Sequence, residues 1–246
     1  MQLLYHYTNI RTLCAIVNGM QNNNMFLRAG NAKNMNDPND CYYFANVLGE
    51  ILNTSQNEIE QLYKDKNKYD CPYLISLSRR KDDLHMWNCY GEDGYGIAFG
   101  IKNLPNIVSD FFLTNHISAH LYDCKYMDSK AIKRDKRFMT IVKDKKSLDK
   151  NFWNNDIISD ISNIIKHPCY RYEKEARVVI KHGKKVITIN DVYRKDEDAF
   201  YVAIPLSCVK EIIVGPNANL ETIKKIFSQY FPYTKFKEST IPYRSK

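Results

Sequence analysis

The chain has 246 residues and a mass of 28.9 kDa, with 44% hydrophobic and 26% charged residues. This composition is that of a globular protein and excludes intrinsic disorder and fibrous structure. No apolar run approaches the roughly 18 residues that a membrane-spanning helix needs, so we expect no membrane partner. The seven scattered cysteines form no CxxC pair, and the first residues form no apolar signal segment. Both features predict a cytoplasmic protein with reduced thiols.

The net charge is +8, from 36 basic and 28 acidic residues, and most of the excess lies in one segment. Residues 130–150 hold nine lysines and arginines against three aspartates, which gives this segment a net charge of +6. A concentrated basic segment attracts polyanions such as nucleic acid. The alternative is a solvated basic face without a partner. The residues that we expect to contact nucleic-acid phosphates are Lys133, Arg134, Lys136 and Arg137.

Taken in chain order, the sequence predicts short helices and strands without repeats or linkers, and hence a single domain over residues 1–246. A strand at LLYHY is followed by a helix that Thr8 or Asn9 caps and that Gly19 ends. A polar stretch with turn residues then runs through NMNDPND. Further helices are predicted at residues 43–52, 57–64, 82–91, 156–167 and 220–231. Further strands are predicted at residues 71–78, 95–101, 118–127, 171–181, 185–189, 199–206, 208–215 and 235–242. This arrangement predicts an α+β fold with antiparallel or mixed sheets.

Several common motifs of catalysis and cofactor binding are absent from the sequence. It contains no GxxxxGK[ST] loop, no GxGxxG after a strand, no GxSxG elbow and no HExxH, which excludes a P-loop enzyme and a Rossmann domain. His116, His120 and Cys124 stand four residues apart, but the segment alternates like a strand. On a strand these side chains spread over about 25 Å, too far to hold one ion. We therefore expect no metal site.

Two segments carry side chains that suit a ligand with hydroxyl groups and a flat ring. In YHYT, His6 lies at the end of a strand and can form a hydrogen bond to a ligand hydroxyl; a buried histidine satisfied by backbone carbonyls is the alternative. Further on, Ser76 and Ser78 share one face of a strand, and Trp87 and Tyr90 follow at helical spacing. This combination suits a ring with polar edges, such as a nicotinamide. Packing of the helix against the core is the alternative.

A third segment, YRYEKEARVVI, carries a pair of carboxylates. On the predicted strand, Glu173 and Glu175 lie two residues apart and share a face. Two like charges in this position raise each other's pKa unless a cation such as Arg171 or Arg177 compensates them. The alternative is an exposed strand face with Glu–Arg pairs worth less than about 1 kcal/mol each.

The order of six blocks resembles a bacterial protein family classed only as a domain of unknown function. The blocks are YHYT with its helix, NDPND, SLS…MW…Y…G, YEKEAR, VKEIIVGPNA and IPYR, and they run from Tyr5 to Arg244. That family is similar to the ADP-ribosyltransferase superfamily, above all to the toxins that modify DNA bases and to the RNA 2′-phosphotransferases. Those proteins also open with a strand histidine and close with a glutamate followed by an apolar strand.

The resemblance implies an ADP-ribosyltransferase-like fold, a split β-sandwich of two small sheets with helices, that binds NAD as a substrate in its cleft without a metal. Glu175 matches the catalytic glutamate, which stabilises an oxocarbenium-like ribose, and Glu173 would orient the acceptor. The candidates for holding the pyrophosphate are Arg11, Arg28 and Arg79. The residues implied to line the NAD site are His6, Thr8, Asn36, Asp37, Ser76, Ser78, Trp87 and Tyr90.

The function implied first is an NAD-dependent mono-ADP-ribosyltransferase. It would act on nucleic acid as a toxin or phage-defence effector, with an antitoxin or another regulator as a partner. Two alternatives stay open: an NAD hydrolase or RNA 2′-phosphotransferase, and a non-catalytic module that binds nucleic acid or a nucleotide. A steep dependence of binding on salt indicates a nucleic-acid partner.

Overall fold

The fold was analysed in a computed structural model, which describes residues 2–32, 35, 41–59, 61, 72–115, 118–143, 156–181, 195–196 and 199–242. Its strands are β1 (Leu4–Thr8), β2 (Asn24–Asn31), β3 (Tyr73–Ser78), β4 (Ile97–Ile101), β5 (Ser118–Asp123), β6 (Lys125–Tyr126), β7 (Ile165–Lys166), β8 (Glu175–Lys181), β9 (Lys195–Asp196), β10 (Ala199–Pro205), β11 (Val209–Val214) and β12 (Lys235–Glu238). Its helices are α1 (Ile10–Asn18), α2 (Tyr43–Ile51), α3 (Leu84–Tyr90), α4 (Leu104–Asn115), α5 (Ser129–Arg134), α6 (Lys136–Val142), α7 (Asp156–Ile164) and α8 (Leu220–Phe227), with 3₁₀ helices at Pro168–Glu173, Leu206–Cys208 and Ser228–Tyr230.

A ten-stranded sheet takes its strands from both ends of the chain. The strand order is β12-β11-β4-β1-β3-β2-β10-β9, and β8 lies between β3 and β5 as a branch from this path. Among the described strands of this sheet, the pairs are antiparallel apart from the parallel pair β11–β12. Strands β6 and β7 form a separate two-stranded parallel sheet. The prediction of an α+β fold with a mixed, largely antiparallel sheet is confirmed.

The sheet divides at β3. On one side, β3 pairs with β8 along its whole length. On the other side, in the part of the chain that the structure describes, β1 pairs with β3 at Ser78, and β2 pairs with it at Tyr73 and Leu74. Strands β1 and β2 therefore diverge and leave a gap beside residues 75–77. The split β-sandwich of two small sheets that the resemblance implies is not confirmed, because the strands on both edges of β3 belong to one ten-stranded sheet.

The two faces of the β3–β8 pair differ in character. One face packs into the main core through Tyr73, Ile75, Leu77, Ala176, Val178 and Ile180. The other face is apolar at one end, where Leu74 and Val179 pack with α2, α5 and α6 in a second core. Two residues further along the register this face becomes polar, with Ser76 opposite Arg177 and Ser78 opposite Glu175. A polar floor is thus formed at the edge of the second core.

Side-chain caps mark the starts of α1 and α3. The Asn9 side chain accepts a hydrogen bond from the Thr12 amide at 2.7 Å, and α1 ends before Gly19, as predicted. The Asp83 carboxylate accepts hydrogen bonds from the His85 and Met86 amides at the start of α3. These caps satisfy amide groups that a helix start leaves unpaired.

Several predicted elements differ from the structure. The prediction missed β2, because its asparagines resemble a turn although Met25, Leu27 and Ala29 alternate inward on its buried face. It also missed α4 and the helices α5 and α6 of the basic segment. The predicted strand 185–189 lies outside the described residues, and the predicted helix 57–64 is described only in part. Among the described residues, no helix is both long and apolar enough to cross a membrane.

Candidate functional site

A cavity of about 480 Å³ lies at the gap in the sheet. Its walls come from β1, β2, β3, α3, β7, the 3₁₀ helix Pro168–Glu173 and β8. The structure therefore brings together side chains that the sequence places far apart. The predicted site residues that line the cavity are His6, Ser76, Ser78, Tyr90, Glu173 and Glu175.

The acidic pair reaches the cavity by a backbone path that differs from the predicted strand. Glu173 ends the 3₁₀ helix, Lys174 adopts the left-handed conformation with a φ of 45°, and β8 begins only at Glu175. The prediction that both glutamates lie on one strand face is therefore wrong. Their carboxylates nevertheless meet at one ammonium group, because Lys166 Nζ lies 2.7 Å from Glu173 Oε2 and 2.8 Å from Glu175 Oε2.

Arg177 supplies the second cation of this buried cluster. Its Nε donates to Glu175 Oε1 at 2.6 Å, its Nη2 donates to Glu175 Oε2 at 3.1 Å, and its Nη1 donates to the Asn163 carbonyl at 2.9 Å. The side chains of Glu175 and Lys166 are 5% exposed and that of Arg177 is 1% exposed. Burial raises the pKa of Glu175, but Arg177 and then Lys166 outweigh it and lower this pKa to about 2. The carboxylate is therefore ionised at neutral pH.

Three hydroxyl groups hold the acidic pair in place. The Tyr90 hydroxyl donates to Glu173 Oε1 at 2.7 Å, and Ser78 Oγ donates to the Glu173 carbonyl at 2.5 Å. The Tyr126 hydroxyl accepts from the Glu175 amide at 2.8 Å. Burial, together with the Glu173 carboxylate, raises the pKa of Tyr90, so this hydroxyl stays protonated and remains a donor. Tyr90 thus supports a carboxylate while its ring lines the cavity.

His6 and Ser76 each carry a polar atom that forms no hydrogen bond with a residue that the structure describes. His6 Nδ1 lies 3.3 Å from the Ser76 carbonyl oxygen. Because a carbonyl can only accept, Nδ1 carries the proton and Nε2 is an acceptor. Burial lowers the pKa of His6 and favours this neutral ring. The buried Ser76 Oγ has no hydrogen-bond partner among the described residues, which is rare for a buried polar atom.

Two of the predicted site residues do not line the cavity. Trp87 is fully buried, its ring centroid lies 4.8 Å from that of Tyr7 in an edge-on contact, and its Nε1 donates to Asp82 Oδ1 at 2.7 Å. It therefore packs α3 against the core, which is the alternative given above, and it is not placed to stack on a ligand. Thr8 is buried at the end of β1. Asn36 and Asp37 lie outside the described residues.

We expect Trp87→Phe to lower the free energy of unfolding by about 1–3 kcal/mol, because the smaller ring leaves a void and the Asp82 carboxylate loses a donor. Urea denaturation measures this change. A Trp87→Phe variant with wild-type stability would contradict this role of Trp87 in the core.

Lys166 is the main site residue that the sequence analysis missed. Residues 156–167 were predicted as one helix, but α7 ends at Ile164 and Ile165–Lys166 form β7 beside β6. This break turns the lysine into the protein interior, where its side chain is 5% exposed. The available signal was the acidic pair itself, since two buried carboxylates need more positive charge than Arg177 alone provides.

Of the three arginines that the resemblance offers for the pyrophosphate, Arg28 lines the cavity and the other two do not. Arg28 on β2 lines the cavity, is exposed, and forms no ion pair with a described residue. Arg79 pairs with Asp123 at 2.6 Å. Arg11 is exposed on α1 and does not line the cavity. In the part of the chain that the structure describes, no cluster of His, Cys, Asp or Glu could hold a metal ion.

The residues predicted to contact nucleic acid lie on α5 and α6. Apolar side chains of these helices pack into the second core and leave the basic side chains exposed. Lys133 Nζ lies 2.8 Å from Glu50 Oε2, and Arg137 pairs with Asp135. Local carboxylates thus offset two of the four predicted charges, those of Lys133 and Arg137. Arg134 and Lys136 are exposed as well.

Comparison with known protein families gives a match to part of the chain. The model of a family described as "Protein of unknown function (DUF2971)" matches residues 86–178, which is less than half of the chain. The match is to a domain of unknown function. To this extent it confirms the resemblance given above. No curated protein and no solved structure matches the chain. The matched residues include the whole buried charge cluster, whereas His6, Arg28 and Ser76 precede them.

Proposed function

We propose that the cavity binds NAD and that the protein is an NAD-dependent ADP-ribosyltransferase. One observation carries this proposal: His6 and Ser76, each with a polar atom that bonds to no described residue, line the same cavity as the carboxylates of Glu173 and Glu175. A ribose diol needs one acceptor and one donor, which His6 Nε2 and Ser76 Oγ supply. The anomeric carbon of that ribose needs a nearby negative charge when its bond to nicotinamide breaks.

The two carboxylates take different roles in this proposal. When the C1′–N bond breaks, its electron pair leaves with nicotinamide, and C1′ becomes electron-poor. Glu175, ionised at neutral pH, stabilises this positive charge. The lone pair of the acceptor then forms the new bond at C1′, and the acceptor proton passes to Glu173. Each Glu173 oxygen accepts one hydrogen bond, from Tyr90 and from Lys166, and keeps a lone pair for this step.

The rest of the cavity fits the remaining parts of NAD. The Tyr90 ring offers a flat apolar surface beside the acidic pair, as a nicotinamide ring requires. The Arg28 guanidinium, which is exposed and lines the same cavity, suits a pyrophosphate because its fork of donors matches phosphate oxygens. Arg28 is thus the pyrophosphate candidate that the geometry favours.

The test is nicotinamide release from NAD in the presence of mixed DNA, RNA and protein acceptors. We expect release by the wild type, and a fall in kcat/KM on the order of 10²-fold in Glu173→Gln and in His6→Ala. Glu221→Gln, which changes an exposed carboxylate on α8, is the matched control and should leave release unchanged. Label transferred from NAD to an acceptor indicates a transferase, and free ADP-ribose alone indicates a hydrolase.

Other outcomes decide between the remaining functions. NAD binding without release in the wild type would favour a non-catalytic nucleotide-binding module, and absence of NAD binding would overturn the proposal. Glu175 is tested with Glu175→Gln rather than Glu175→Ala, because glutamine keeps the side-chain volume and an oxygen that accepts from Arg177, whereas alanine leaves a void beside two buried cations. Circular dichroism of each variant separates lost chemistry from lost folding.

A further inference from the structure

We infer that an exposed rim beside the acidic pair binds single-stranded nucleic acid. This rim, called here the aromatic rim, consists of His85, Arg171, Tyr172 and Lys174. The inference deepens the proposed function, since only an active transferase makes the bound strand an acceptor. It also places the nucleic-acid contact away from the basic helices α5 and α6.

An exposed ring stands one residue from the acidic pair. Tyr172 is 51% exposed, and it directly precedes Glu173, whose carboxylate lines the cavity. The exposed His85 ring, on α3, lies 6.2 Å from the Tyr172 ring between centroids. Tyr90, at the other end of α3, donates to Glu173. Exposed aromatic side chains of this kind serve as stacking platforms for unpaired bases.

Positive charge flanks this ring on both sides in the sequence. The Arg171 guanidinium carbon lies 5.1 Å from the Tyr172 ring centroid, and Arg171 Nη2 donates to the Tyr172 hydroxyl at 3.2 Å. Arg171 and Lys174 are exposed, and neither forms an ion pair with a residue that the structure describes. Lys133 and Arg137 of the basic helices, by contrast, are paired with carboxylates. An exposed aromatic ring can stack on an unpaired base while cations next to it in the sequence contact the phosphates.

Hydrogen bonds from Ser78 and Arg79 hold the backbone at Glu173 and Lys174, directly after Tyr172 of the aromatic rim. The Glu173 carbonyl accepts from Ser78 Oγ, and the Lys174 carbonyl accepts from the Arg79 amide at 2.9 Å. Lys174 itself holds the left-handed conformation, with a φ of 45°. A platform that is already ordered loses little conformational freedom on binding, so more of the interaction energy appears as affinity.

The test measures oligonucleotide binding to the full chain without NAD. The probes are fluorescein-labelled single-stranded DNA and RNA of mixed sequence and about 12 nucleotides, a length typical of one binding site. We expect Tyr172→Ala and Arg171→Ala each to weaken binding about 10-fold, and Tyr172→Phe to retain wild-type affinity because it keeps the ring. Tyr233→Ala is the matched control, since Tyr233 is 69% exposed and lies outside the rim. It should leave the affinity unchanged.

The outcomes separate this inference from the proposed function. Wild-type affinity in Tyr172→Ala, or no binding of either probe by the wild type, overturns the inference and leaves the nicotinamide-release test untouched. A loss confined to Arg134→Ala also overturns it, because it assigns binding to the basic helices. Rim-dependent binding in a protein that releases no nicotinamide supports the inference and overturns only the proposed function. Preference for one probe tells whether the strand is DNA or RNA.

Discussion

Lys166→Met is expected to lower the free energy of unfolding by about 3–5 kcal/mol, the range for breaking a buried ion pair from one side. The ammonium group contacts Glu173 at 2.7 Å and Glu175 at 2.8 Å. Without it, two buried carboxylates face Arg177 alone, and one negative charge loses its counter-ion. Urea denaturation followed by circular dichroism measures the difference.

The matched control for this variant is Lys133→Met. It removes a lysine whose bond to Glu50 has a similar length, 2.8 Å, but whose side chain is 41% exposed. Its expected cost is at most about 1 kcal/mol, because water screens the pair and solvates the carboxylate that remains. An equal loss of unfolding free energy in the two variants would show that burial does not determine the effect of removing the lysine.

Protonation of Glu175 alone is expected to lower the free energy of unfolding by about 3 kcal/mol in acid. Arg177 and Lys166 outweigh the effect of burial and lower its pKa from 4.5 to about 2 in the folded protein. The unfolded chain therefore binds this proton first as the pH falls. The stabilisation is complete above pH 4.5 and is lost as the pH falls toward 2.

Urea midpoints measured across this pH range give the slope, and Glu175→Gln provides the comparison, since an amide does not titrate. The variant should show a flatter slope below pH 4.5. An unchanged slope in Glu175→Gln would show that other carboxylates control acid unfolding.

His6 affects the free energy of unfolding at higher pH. Burial lowers the pKa of His6 below 6.5, so the stability that the neutral ring contributes is lost as the pH drops through the unfolded value of about 6.5. The His6→Ala variant should not show this loss of stability near pH 6.5.

The features that the sequence predicts well are those set by neighbouring residues. Asn9, one of the two predicted caps, marks the start of α1, because a side-chain acceptor next to an apolar periodic run is a local signal. Strands β10 and β11 are also predicted correctly, because each contains a run of apolar residues. The candidate site residues His6, Ser76, Ser78, Tyr90, Glu173 and Glu175 do line one cavity.

The features that the sequence could not predict depend on distant pairing. The gap beside β3 exists because β1 and β2 pair with opposite ends of the same strand edge, and no local pattern encodes that register. Lys166 enters the site because β7 pairs with β6, which ends the helix earlier than its periodicity indicates. Trp87 was placed in the site wrongly for another reason: helical spacing alone cannot distinguish a ring that packs in the core from a ring that lines a pocket.

The order of strands in the sheet has a consequence for synthesis on the ribosome. Strand β1 emerges first and pairs with β4, yet the far edge of β4 is covered only by β11, and the Tyr5 hydroxyl donates to Glu211 across 206 residues. The nascent chain therefore cannot complete this part of the sheet until Val214 has left the exit tunnel. The same interleaving means that a fragment of residues 86–178 lacks β1 and β3, which separate β4 from β8. The acidic cluster likewise forms only after β8 has emerged, because Glu175 and Arg177 lie on that strand and β8 pairs with the earlier strand β3.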